Sequence, residues 1–289
     1  MILSRAIYSV LGLLLGLVLY LVFVQDIAIW RWGILPVLAL GFLTYIFSSE
    51  INHYWLNRFP IEIDAREHQF LSRHLPYYSS LPLSDQKEFG KACIAFHRHR
   101  DYILQGMPNF PDDLKVLLAA QAVLLSHVFE LSLDDWNAYD KMVLYPHPFI
   151  SPEIDVVHAS ETHFSEGVWL FSVDQLIPGM TQPRRFFNTG LYEFIRTLKA
   201  IHPEKLSKLS QFDESTLQNL AANFSKIKYE NIQYWLNIKE PDQEAVYLTL
   251  LLTNYSLWST YSTEQISSFP LANLIRDKLN KQGFSPLSQ

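Results

Sequence analysis

The sequence has one cysteine, Cys93, in 289 residues. A lone thiol excludes an intrachain disulfide framework and agrees with a reducing compartment. Positive charge is in short supply: 23 Lys and Arg stand against 29 Asp and Glu, for a net charge of −6. A general nucleic-acid binder needs a basic face to meet phosphates, so this balance argues against that class and no nucleic-acid partner is expected. Charge of either sign is sparse, at 18% of residues against 49% hydrophobic. Internal repeats and low-complexity segments are absent as well.

The apolar excess lies at the front. Residues 6–24, AIYSVLGLLLGLVLYLVFV, run uncharged for 19 residues, which as a helix at about 1.5 Å per residue nearly crosses a hydrocarbon core of roughly 30 Å. A second run, from Trp32 to Phe47, extends uncharged through Ser48 and Ser49. Trp30, Trp32 and Tyr45 flank it, where amphipathic rings favour the interface. Pro36 falls in its first turns, where a lost N–H is cheap. These residues predict a two-helix transmembrane hairpin over 1–58, with spans at about 6–24 and 32–49. A cleaved signal peptide is the competing reading of the first run, but no small-x-small site follows it and a second apolar run comes at once. Arg5 precedes the first span and Arg58 and Arg66 follow the second, so the positive-inside rule places both ends, and the domain from 59 to 289, in the cytoplasm. The expectation is an integral protein of the inner or plasma membrane.

Beyond Pro60, the pattern predicts a short helix over Ala65–Leu75, a connector LPYYSSLPLS, and a helix capped by Ser84 that runs from about Asp85 to Ile103. Pro111-Asp112-Asp113 reads as a helix start, with proline in the first turn and acids at the positive end of the dipole. The following LKVLLAAQAVLLSHVF is apolar nearly all round and belongs in a core. KMVLYPHPF and GVWLFSV are short, β-rich and bounded by breakers, so they read as strands. From Pro183 the chain reads helical. EAVYLTLLLTNYSLW is too short for a span and fits a buried helix.

The histidines do not form an obvious ligand set. His97 and His99 sit at i and i+2 and read as a solvated helix surface. His158 and His163 bracket Glu161 in HASETH, a segment that reads as an interstrand loop without metal-helix spacing.

The segment Leu191–Leu198, LYEFIRTL, has the outline of a metallopeptidase helix and lacks its ligands. In H-E-x-x-H, two histidines at i and i+4 hold zinc on one helical face and the glutamate deprotonates a zinc-bound water. Here Glu193 keeps the glutamate position, while Tyr192 and Arg196 stand where the histidines would be. Tyrosine is an uncommon zinc ligand, and a guanidinium has no lone pair to give.

The surrounding segments resemble the MtfA-type family of glucose-regulated zinc metallopeptidases, from about Leu75 to Pro270. LPYYSSLP is similar to the family's opening L-P-W-Y-x-x-L-P, VLLAAQAVLL to its alanine-rich A-A-Q-A-C helix, MVLYPHPF to its I-L-V-Y-P-x-x-F strand, and WLFSVDQLIPG to its edge-strand segment. FNTGLYEFIRTL resembles N-x-x-x-H-E-F-A-H-x-L-D, with Asn188, Glu193, Phe194 and Leu198 in register. WSTYSTEQISSFP is similar to the family's late T-E-containing segment, with Thr263, Glu264 and Pro270 in register. Lys199 departs from the family's aspartate.

The resemblance implies an α+β, mostly helical, zincin-like domain with a small β-sheet, following the membrane hairpin. It puts Glu193 at a vestigial general-base position and leaves Glu264 as the remaining metal-ligand position. Arg196 would then neutralise Glu193 and Glu264 in place of the metal, or else be an ordinary exposed helix arginine. Trp169 and Asn188 would border a peptide-binding cleft. The expectation is a membrane-anchored pseudopeptidase that binds a peptide or protein partner with no cofactor. The alternative is an active zinc peptidase with rearranged ligands drawn from His147, His158, His163 or His202.

Overall fold

The structure is a computed structural model. It describes residues 2–23, 31–48, 51, 54–55, 58–59, 61–206, 227–254 and 275–276. The chain separates into two compact units, 1–61 and 62–289.

The first unit contains α1 (Ile2–Phe23) and α2 (Arg31–Ile46), which contact each other. Within α1, Ala6–Phe23 is long and apolar enough to cross a membrane, with a mean hydropathy of 2.5 over 18 residues. The second apolar helix, Trp32–Ile46, is shorter. In α2 the Thr44 hydroxyl donates to the Leu40 carbonyl at 2.7 Å, so this polar group is satisfied inside its own helix.

The second unit is mostly helical around a four-stranded sheet. It begins with α3 (Ala65–His74), where Asp64 and Glu67 form a reciprocal capping box. Next come α4 (Pro76–Ser80), a single helical turn within the expected connector, and α5 (Leu83–Arg98). The helix α5 starts at Leu83 and stops at Arg98, so Ser84 lies inside it and is not its cap. The residues beyond form strand β1 (Asp101–Leu104). The expected continuation to Ile103 fails because Asp101–Leu104 pairs in parallel with Lys141–Leu144 of β2 (Lys141–Tyr145). His97 is also not solvated surface: it is partly buried against Tyr102, with ring centroids 5.4 Å apart.

Between β1 and β2 runs α6 (Asp112–Phe129), buried from Val116 to Ser126 without a break. Its all-round apolar sequence therefore does become the central core helix. After β2 come β3 (Ser160–His163), β4 (Val168–Ser172), α7 (Val173–Thr181), α8 (Thr189–Ile201), α9 (Pro203–Leu206), α10 (Tyr229–Leu236) and α11 (Gln243–Thr253). As its apolar run predicts, α11 is buried from Ala245 to Leu252.

The sheet order is β1-β2-β4-β3. The pairs β1–β2 and β2–β4 are parallel, and β3 pairs antiparallel with β4 at the edge. The edge position expected for the Trp169 segment therefore belongs to β3, while β4 is interior. Because side chains alternate along a strand, register assigns the two faces. Met142, Leu144, Trp169 and Phe171 share one face with Ser160 and Thr162, and the four apolar residues are fully buried. Val143, Leu170, Val168, Glu161 and His163 share the other, where Phe149 joins Val168 and Leu170 in a second apolar cluster.

Candidate functional site

The helix α8 is placed by its own sequence. Leu191, Phe194, Ile195 and Leu198, at i, i+3, i+4 and i+7, are all fully buried. Asn188 caps the helix: its Oδ1 accepts from the Leu191 N–H at 3.1 Å, and its amide donates to Gln121 Oε1 on α6 at 3.1 Å. Gly190 admits the close approach, since a Cβ there would stand 3.0 Å from Leu118 and 3.1 Å from Leu176. Trp169 anchors the middle of α8. Its ring meets Phe194 edge-on at 4.8 Å, and its indole N–H donates to the Thr197 hydroxyl at 2.8 Å. Thr197 in turn donates to the Glu193 carbonyl at 2.9 Å. Trp169 and Asn188, expected at the wall of a cleft, thus have their side chains committed to the interior, at 0% and 3% exposure.

These contacts set Glu193 against the edge strand. Its side chain is fully buried, yet each oxygen meets donors. Ser160 donates to Oε1 at 2.8 Å, Thr162 to Oε2 at 2.7 Å, and Arg196 to Oε2 at 2.8 Å. Ser160 and Thr162 lie two residues apart on β3, so strand alternation aims both at the helix. The guanidinium also lies 5.4 Å from the Phe164 ring and 5.7 Å from the Tyr192 ring. The Glu193 carboxylate raises the Arg196 pKa and keeps the guanidinium charged. An ionised carboxylate without partners would be very costly at this depth, and this one has a counter-charge and three hydrogen bonds.

The Tyr192 hydroxyl accepts from the Asp242 N–H at 3.0 Å. Burial raises its pKa further above the ordinary phenol range. Lys199 reaches Asp242 at 3.0 Å and Glu244 at 2.6 Å, tying α8 to the start of α11. Glu264 lies outside the described residues.

Among the described residues, Tyr192, Glu193 and Arg196 do not form a donor set that fits zinc. The phenol is buried and engaged, the guanidinium has no lone pair, and both oxygens of Glu193 are held by donors. The local histidines go elsewhere. His147 pairs with Asp174 at 2.7 Å, and His202 with Asp135 and Glu204 at 3.3 and 3.1 Å. His158 and His163 both contact Glu161, which faces the other side of the sheet from Glu193.

The sequence reading missed Ser160 and Thr162. The signal was an S-E-T-H alternation, which as a strand sends two hydroxyls one way and two ligand-type side chains the other.

A mostly helical α+β protein, with a mixed four-stranded sheet whose antiparallel edge strand meets a buried glutamate helix, is the class that the fold and site define. The family described as glucose-regulated metallo-peptidase M90 matches residues 52–203, which is 152 of 289 residues. The chain belongs to that family. The match includes α8 with Tyr192, Glu193 and Arg196 and ends before residue 264. No curated protein and no solved structure matches the chain.

Proposed function

We propose that this chain is a membrane-anchored, catalytically inactive member of the M90 family that retains the peptidase scaffold to bind a peptide or protein segment. One observation carries the reading: Ser160, Thr162 and Arg196 all donate to the Glu193 carboxylate. A general base needs a free lone pair within reach of the proton it takes. In Glu193 three of roughly four acceptor sites are taken and both oxygens are turned to Ser160, Thr162 and Arg196, and the residue one turn later is its counter-ion and not a metal ligand. Among the described residues, strand β3 has a sheet neighbour on one side only, in β4. Such an edge suits an extended segment added as a further strand. Glu264 is assigned no ligand role in this reading. The anchor is the hairpin of α1 and the shorter apolar α2, which returns the chain to the side of Arg5 and, by the bias of Arg5, Arg58 and Arg66, puts the family domain in the cytoplasm.

The test uses the full chain in detergent with fluorescently labelled, unfolded casein, read in parallel for binding by anisotropy and for cleavage by gel. The expected result is saturable binding with no cleavage above background. Cleavage that disappears in Glu193→Gln overturns the proposal, as does the absence of any binding.

A further inference from the structure

The second face of β3 carries side chains that the Glu193 site does not use. Glu161 is 2% exposed, and its Oε1 is buried without a hydrogen-bond partner among the described residues. His163 Nε2 is likewise buried and unbonded, and it faces that oxygen at 3.2 Å without the alignment of a hydrogen bond. Glu153 approaches from the preceding loop. One ligand atom from each of Glu153, Glu161 and His163 lies within 4.8 Å of the other two. We infer that these three residues form a divalent-cation site of the zinc class, separate from the peptidase helix, that clips the 149–158 loop to the edge strand.

Strand geometry makes two of the ligands. Glu161 and His163 are i and i+2, so they leave β3 on the same side, opposite Leu170 and Val168. The loop supplies the third. Phe149 and His158 exchange backbone hydrogen bonds at 3.1 and 2.9 Å and close its base. Inside it, the Ile154 N–H donates to the Ser151 hydroxyl at 3.0 Å, fixing the turn that presents Glu153.

The distances suit an ion of this class. Zinc bonds of about 2.0–2.2 Å in a tetrahedron put ligand atoms roughly 3.4 Å apart. Glu161 Oε1 and His163 Nε2 are already at 3.2 Å, and Glu153, exposed on its turn and within 4.8 Å of both, needs to close by at most about 1.4 Å. An imidazole and two carboxylates form a borderline donor set of the kind zinc accepts, and three protein ligands leave a fourth position for water.

The surroundings also match a metal site. His158 is fully buried, with Nε2 3.1 Å from Glu161 Oε2 and Nδ1 2.8 Å from the Val156 carbonyl. It holds one carboxylate oxygen and turns the other toward His163. Such outer partners orient metal-bound carboxylates. Without a cation, Glu161 keeps a buried oxygen that faces His163 Nε2 at 3.2 Å and accepts no hydrogen bond among the described residues, a costly arrangement for a carboxylate. The ion would therefore hold β3 from one face while Ser160 and Thr162 engage Glu193 from the other.

The test is metal analysis of the full chain in detergent, stripped with a chelator, loaded with Zn2+, and desalted. Wild type and Glu193→Gln should each retain one equivalent. His163→Ala should retain none, and Glu153→Gln, an exposed position that leaves folding intact by circular dichroism, should weaken zinc binding at least tenfold. Co2+ in place of zinc should give a visible ligand-field absorption that His163→Ala abolishes. Wild-type protein without zinc after loading, or zinc undiminished in both His163→Ala and Glu153→Gln, overturns the site. Casein cleavage is a separate readout, so failure of the cation site and failure of the inactive-peptidase reading remain distinguishable.

Discussion

Arg196 donates to Glu193 from one turn along the same helix, at 2.8 Å, with the acid fully buried and the guanidinium 24% exposed. The pair closes α8 on itself beside the hydroxyls of Ser160 and Thr162. Removing one member of a buried ion pair strands the other, which costs about 3–5 kcal/mol. Arg196→Met should therefore lower the thermal midpoint of the full chain in detergent by several degrees. Glu193→Gln in the same chain should recover more than half of that loss, because a neutral amide needs no counter-charge. Additive losses in the double variant would show that the two residues are not coupled.

Tyr192 adjoins that pair, with its ring 5.7 Å from the guanidinium, but its hydroxyl serves another element. Its hydroxyl accepts the Asp242 N–H, and Asp242 Oδ1 accepts the Ala245 N–H at 3.1 Å as the cap of α11. Tyr192→Phe leaves a partly buried N–H without an acceptor and should cost about 1–2 kcal/mol. The loss should appear as a lower thermal midpoint. The same variant should leave casein uncleaved, because the phenol has no chemical role in the proposed reading; new cleavage would contradict it.

The parts legible in the sequence were those where one physical signal dominated. Asp112–Phe129 and Gln243–Thr253 are apolar on every side and have no alternative to a core. Lys141–Tyr145 and Val168–Ser172 are apolar runs between breakers. The helix carrying Tyr192, Glu193 and Arg196 was placed by its register with neighbouring segments. Two strands escaped. Asp101–Leu104 is four residues long and follows directly on a helix, so only pairing with β2 identifies it. Ser160–His163 is polar on both faces, so a rule that looks for apolar alternation passes over it. Its alternation is real but polar: hydroxyls toward Glu193, and a carboxylate and imidazole toward the loop. The edge place that the family resemblance implied for the Trp169 segment falls to this strand instead.

His97 gives the fold an acid-side weakness. Burial, then the nearby Lys115 ammonium, pushes its pKa down to about 4 from an ordinary value of 6.5; Arg98 pushes the same way and Asp112 opposes. A depressed histidine pKa means that the unfolded chain binds the proton more readily. The stabilisation is complete above pH 6.5 and disappears as pH falls toward 4. His97→Gln should flatten the decline in thermal midpoint between these pH values, a difference on the order of 2 kcal/mol. Melting curves across that range decide it, and an unchanged slope in the variant would assign the acid sensitivity to other groups.

The anchor can be tested through α1 alone. Leu13 and Leu17 lie near the middle of Ala6–Phe23, one turn apart, and are 76% and 54% exposed. In a bilayer they would face lipid or a neighbouring apolar helix. Each arginine placed at the centre of a span costs about 2.5–3.5 kcal/mol of insertion. Wild-type chain should stay in the membrane pellet after alkaline carbonate washing, and Leu13→Arg with Leu17→Arg should shift a substantial fraction into the supernatant. Release of the wild type by carbonate would show that α1 does not insert, and the apolar helices would then need a protein partner to cover them.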